Sequence, residues 1–159
     1  MHRASIDIAA SPELVFAYMT DPRHVKSWQP DVVESQPLPA GGLCVGTRLR
    51  STVQEYGRRF EVELRIAAIA ANEHVAYEME APTASIHSEF RLTRKGNSTR
   101  VEHLVTVRLK GLGRLLMPFA KGMVQRKLES RLKLLRDAVE AEREDPSRGF
   151  AASAAKPAV

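Results

Sequence analysis

Hydrophobic and polar residues change period several times along this chain. Ile6 and Ile8 alternate with Ser5 and Asp7, the period-two pattern of a short strand with one buried face. Ser11-Pro12-Glu13 then supplies a capping hydroxyl, a first-turn proline and a first-turn acid, and Leu14, Val15, Tyr18 and Met19 follow at helical spacing. A helix over residues 12–20 is predicted. Asp21-Pro22 repeats the cap-and-proline pattern and predicts a second short helix ending near Trp28. Pro30, Pro37, Pro39, Gly41 and Gly42 predict a loop of about a dozen residues.

From Leu43 to Lys110 the alternation is clean enough to assign faces. Phe60, Val62, Leu64 and Ile66 are apolar between the charged Arg59, Glu61, Glu63 and Arg65. Val75, Tyr77 and Met79 form the inward set of the next run. Ile86, Ser88, Phe90 and Leu92 form that of the one after, and Val101, His103, Val105, Val107 and Leu109 that of the last. Asn72-Glu73, Ala81-Pro82-Thr83 and Lys95-Gly96-Asn97-Ser98 are turn clusters, so the runs read as an antiparallel meander. After Gly111 the period becomes helical. Leu112, Leu116, Phe119, Met123, Leu128, Leu132, Leu135 and Val139 form one apolar stripe, with Pro118 marking a kink or the start of its regular part. One domain over residues 1–143 and a disordered tail over 144–159 are expected, the tail being small and low in complexity.

A curved sheet of six or seven strands with one apolar face must cover that face, and the terminal helix is the only element long enough. The expected class is α+β. The opening Ile6-Asp7-Ile8-Ala9-Ala10-Ser11-Pro12-Glu13-Leu14-Val15-Phe16, Asp21-Pro22 with Trp28 after it, Gly46-Thr47, and Leu116-Met117-Pro118 running into a basic helix resemble the START-like or SRPBCC superfamily, in its polyketide cyclase/dehydrase-like branch. The resemblance covers about Ser5 to Glu142 and implies the helix-grip fold, with a cavity between the concave sheet and the long helix. It speaks to shape more than to chemistry.

On that fold the inward parity places Thr47, Ser51, Phe60, Tyr77, Met79, Ser88, Phe90 and His103 on the sheet side of the cavity. Phe119 and Met123 lie on the helix side, and Trp28 near a mouth. Such a lining suits a hydrophobic small molecule oriented by a few polar groups. Trp28, Tyr77, Met79, Ser88, Phe90, His103, Phe119 and Met123 are therefore the candidate ligand-binding residues. His103 is the one inward imidazole, and with Tyr77 it is the candidate proton-transfer pair of an alternative, cyclase or dehydrase reading. A histidine among apolar neighbours is more often a satisfied core group. Glu61, Glu63, Glu78, Glu80, Glu89 and Glu102 all take the outward parity, so no acid is expected beside it.

The rest of the composition narrows the classes. The chain has 159 residues, 43% hydrophobic and 27% charged, an ordinary globular balance. Its longest apolar run, Ile66 to Ala71, cannot cross a bilayer, and the first ten residues lack a long apolar stretch. With a single cysteine, Cys44, no internal disulfide is available, and a cytoplasmic location without integral membrane association is expected. His2, His24, His74, His87 and His103 lie in separate segments or on opposite faces, so neither a metal nor another cofactor is expected. The net charge of +5 concentrates in the last helix, where nine basic residues between Lys110 and Arg143 face four acids. The apolar stripe of that helix is needed by the sheet, and its basic side reads as a solvated face. With few aromatics, no nucleic-acid partner is expected. A monomer or homodimer remains open, as does an acidic partner on the basic face.

Overall fold

A computed structural model describes residues 1–36, 38–55, 57–81, 84–110 and 117–145, the side chains of 117–121 excepted. Strand β1 (His2–Ile8) leads into α1 (Pro12–Thr20) and α2 (Val25–Trp28). Six strands follow: β2 (Val32–Ser35), β3 (Arg48–Glu55), β4 (Arg58–Ala70), β5 (His74–Glu80), β6 (Ala84–Lys95) and β7 (Ser98–Leu109). Helix α3 (Met117–Glu144) closes the molecule. All seven strands form one antiparallel sheet in the order β1-β7-β6-β5-β4-β3-β2, so the helix-grip α+β architecture holds.

The local signals act as their chemistry requires. The Ser11 hydroxyl accepts from the Leu14 amide at 3.3 Å and caps α1, which spans the predicted residues. Asn72 (φ 66°) and Gly96 (φ 58°) supply the left-handed conformation at the β4–β5 and β6–β7 turns. Pro118 falls in the first turn of α3, where a missing amide hydrogen costs little.

Three expectations change. The predicted loop after Pro30 contains β2, because Val32 and Ser35 pair with Val53 and Ser51 on the edge of the sheet and the Ser35 and Ser51 hydroxyls meet at 3.0 Å. The second helix is one turn, starting at Val25 after His24. Asp21 does not cap it and instead accepts from the Arg23 amide at 2.9 Å. Thr47 does not face the concavity: its hydroxyl accepts from the Cys44 amide at 3.0 Å in an exposed turn. Leu112 and Leu116 of the apolar stripe lie outside the described residues, as does the tail from 146 onward; Glu144 still belongs to α3.

The core occupies one end of the concavity. Leu128, Leu132, Leu135 and Val139 of α3 are buried against Ile8, Val15, Ile66, Val75, Leu92 and Val101. Each such aliphatic side chain contributes about 1.5–3 kcal/mol by leaving water. Glu140 ties this half of the helix down by accepting from the Ala9 amide at 2.8 Å, and the buried Thr99 hydroxyl donates to the Ala10 carbonyl at 2.7 Å. The charged parity set lies on the convex face, in cross-strand pairs such as Arg48–Glu63 and Arg100–Asp7. The pairing register slips between Ile66 and Ala68 of β4, and such irregularities sharpen the bend of a sheet. Among the described residues, the side chains of α3 before Leu128 leave the other end of the concavity unfilled.

Candidate functional site

The unfilled end is a cavity of about 450 Å³ between α3, α2 and the sheet, within the range of roughly 300–1,000 Å³ typical of small-molecule sites. Strands β4 to β7 place core residues at one end and cavity residues at the other. Along β5, Val75 packs in the core while Tyr77 and Met79 line the cavity; along β4, Ile66 is core and Val62 and Leu64 are lining. On β6 and β7, Phe90 and His103 sit at the border, with Ser88, Val105 and Val107 beyond them. The wall is short of bulk where Ser51, Ser88 and valines stand, which leaves the hollow. Phe60 and Met123 also line it while being 44% and 50% exposed, so they mark its rim.

Of the candidate residues, Trp28, Tyr77, Met79, Ser88, Phe90, His103 and Met123 all line this one cavity. The side chain of Phe119 lies outside the described residues. Trp28 is not at the mouth: it is 3% exposed and meets Phe90 edge-on, with ring centroids 5.8 Å apart. Phe90 in turn stacks on His103 at 3.8 Å, directly across the β6–β7 pair, and meets Tyr77 edge-on at 6.4 Å. The four rings form a continuous aromatic floor.

His103 is 2% exposed, and its Nε2 lies 2.8 Å from the Ser88 hydroxyl. Burial pushes its pKa from the ordinary 6.5 down to about 3, and the charge of Arg131 acts in the same direction. The ring is therefore neutral across the physiological range. Burial also holds the Tyr77 phenol well above its ordinary 10. Among the described residues no carboxylate is hydrogen-bonded to His103, so this pair has no acid there to recharge it.

Acids do reach the cavity, contrary to expectation, but from elsewhere. Asp31, just before β2, and Glu55, the last residue of β3, line it together with Lys127 and Arg131 of α3. An Arg131 Nη2 donates to Asp31 Oδ2 at 2.5 Å, Lys127 Nζ lies 3.2 Å from the same oxygen, and Lys127 also pairs with Glu55. Burial pushes Asp31 up, but Arg131 and Lys127 outweigh it and hold the carboxyl below its ordinary 3.8. Burial lowers Lys127, with Arg131 adding to the effect. The basic side of α3 is thus not solvated throughout. The signal was present: Glu55 shares the parity of Ser51 and Val53, and Arg131 interrupts a Val124, Leu128, Leu135 stripe at three- and four-residue spacing. Among the described residues no group of three or more His, Cys, Asp or Glu is placed to hold a metal ion, and no helix is long and apolar enough to cross a membrane.

A family model described as polyketide cyclase / dehydrase and lipid transport matches residues 2–140. The chain belongs to that family. Solved structures agree on the fold. TTHA0849 from Thermus thermophilus is 23% identical, with 87% of this chain and 96% of that one covered at a TM-score of 0.61. A START superfamily protein from Mycobacterium smegmatis is 19% identical, with 91% and 97% covered at 0.66. Ara h 8.0201 is 16% identical, with 87% and 96% covered at 0.66. No curated protein matches the chain. At these identities the likeness concerns shape, and within the family the chemistry of this member has to come from its own cavity.

Proposed function

We propose that this protein is a carrier or sensor that encloses a hydrophobic small molecule, lipid-like or polyketide-like, in the cavity under α3. The observation that carries this reading is the hollow itself: apolar and aromatic walls around about 450 Å³, opening past Phe60 and Met123. A ligand that buried about 200 Å² of apolar surface there would gain roughly 5 kcal/mol before ordering costs, with no catalytic group required. The family's description, which includes lipid transport, supports the same reading.

Trp28 is the only tryptophan and lines the cavity, so its fluorescence reports occupancy. Titration with a panel of apolar compounds should change that emission and raise the melting temperature, since a ligand at a hundred times its Kd adds about 2.7 kcal/mol of stability. Silence from the whole panel in both measurements, together with no small molecule co-purifying in native mass spectrometry, would refute the proposal.

The second reading, a cyclase or dehydrase using His103 and Tyr77, draws on the family's description and on the placement of both groups beside Ser88 in one cavity. Against it stand a histidine with a pKa of about 3 and a phenol held protonated, neither suited to moving protons near neutrality. Turnover of a polyketone substrate that is lost in His103→Gln would establish the enzyme; turnover unchanged by that substitution would eliminate this mechanism.

A further inference from the structure

The two ends of the molecule differ in charge. Strands β3, β5 and β7 run away from the packed core and finish at the cavity end, at Glu55, Glu80 and Leu109, and β4, β6 and α3 begin there. Between Glu102 and Glu129 the sequence holds six Lys or Arg residues and no Asp or Glu, and this stretch joins the end of β7 to the first turns of α3. The β3–β4 hairpin adds Arg58 and Arg59. Glu55 and Glu80 at this end are already paired, with Lys127 and Lys110. Among the described residues no carboxylate pairs with Arg58, Arg59, Arg108 or Arg126, all four are exposed, and the exposed Glu61 is set against them. At the core end the arginines are matched: Arg94 with Glu13, Arg100 with Asp7, Arg91 with Glu89. The unmatched positive charge therefore lies where the cavity opens, around the exposed apolar side chains of Phe60 and Met123.

Exposed apolar side chains ringed by unpaired arginines fit a surface that is apolar below and anionic above. We propose that the cavity end of this protein docks on an anionic lipid bilayer, Phe60 and Met123 entering between the head groups and Arg58, Arg59, Arg108 and Arg126 meeting their phosphates. Arginine suits this role because its planar fork donates to two phosphate oxygens at once. Each such cation near an anionic surface strengthens association several-fold, and two apolar side chains without a covalent lipid keep it reversible. An acidic protein would answer the charges equally, but the apolar pair stands at the opening itself, where contact with a bilayer lets an apolar molecule pass without crossing water. The purpose of docking rests on the cavity-binding reading; the docking itself is measured without any ligand.

The test is co-sedimentation with vesicles of phosphatidylcholine alone and of phosphatidylcholine with roughly one-third phosphatidylglycerol. The protein should bind the anionic vesicles about tenfold or more tightly than the neutral ones, and less tightly as salt is raised. Arg58→Glu combined with Arg126→Glu should weaken that binding about tenfold or more, and Phe60→Ser combined with Met123→Ser several-fold. Lys133→Glu, on an exposed position of α3 level with the core residues Leu132 and Leu135, should change it less than about twofold. No binding to anionic vesicles, equal binding to both kinds, or a loss in Lys133→Glu as large as in the arginine pair would overturn the proposal, the last by showing general charge attraction. Binding indifferent to the Phe60 and Met123 pair would overturn the seating of the rim. Unchanged Trp28 emission checks that each variant is folded, and should the apolar pair not fold, the arginine pair and Lys133→Glu still decide. Vesicle binding with a silent Trp28 titration would leave docking standing and the carrier reading refuted; the reverse result would refute docking alone.

Discussion

Replacing His103 with Gln should flatten the acid side of the stability curve. The imidazole is 2% exposed, and its folded pKa is about 3 against an ordinary 6.5. Above pH 6.5 the ring is neutral folded or unfolded and its titration does not affect stability. As pH falls from 6.5 towards 3, only the unfolded chain takes up the proton, so folding stability is lost progressively across that window. The full loss would approach roughly 4–5 kcal/mol, and the part between pH 7 and pH 5 is about 2 kcal/mol. Carboxylates such as Asp21 and Asp31, held below their ordinary 3.8, also lose stability on acidification, but mainly below pH 5, which separates them from the histidine. Urea unfolding at pH 7, 6 and 5 measures the effect. His103→Gln should start less stable because it gives up the stack on Phe90, yet fall by about 2 kcal/mol less than wild type between pH 7 and 5. Parallel curves for the two proteins would show that His103 protonates freely in the fold, and both the dry border of the cavity and the case against proton transfer would fail with it.

Three further outcomes follow from the packing. Leu132→Ala, at 1% exposure on the buried face of α3, should lower unfolding stability by about 2–5 kcal/mol in denaturant titration. Asp31→Asn leaves Arg131 without its carboxylate and Lys127 with Glu55 alone, at a partly buried position, and should destabilise by about 1–3 kcal/mol, a larger loss than that of Glu63→Gln on the convex face, where the same titration serves as control. Cys44, exposed ahead of β3, should react fully with a thiol reagent in the native protein at a rate close to that of the unfolded chain; strong native protection would place it elsewhere.

Much of this was legible in the residue order. The alternation of Phe60, Val62 and Leu64 with charged neighbours could bury only one face, and the same held for β5, β6 and β7, so the convex and concave sides were determined before any contact was known. Ser11-Pro12-Glu13 carried the start of α1 within three residues, because capping is a local interaction. The stripe ending in Leu128, Leu132, Leu135 and Val139 required a partner surface, and only the sheet offered one. Gathering Tyr77, Met79, Ser88, Phe90 and His103 in one place followed from parity plus the curvature of such a sheet.

Three things belonged to the tertiary structure. Strand β2 forms because the edge of β3 offers unpaired backbone groups, a long-range cause that the proline-rich segment around it does not announce. Trp28 lies deep rather than at the rim because a single-turn helix lays it edge-on against Phe90, two segments of the chain that meet only after the meander is complete. The charge cluster of Asp31, Glu55, Lys127 and Arg131 joins three elements, and helical spacing alone made its basic members look solvated. Periodicity is a property of neighbours along the chain, whereas the depth of a side chain and the partner of a charge depend on which distant segments the closed sheet brings against it.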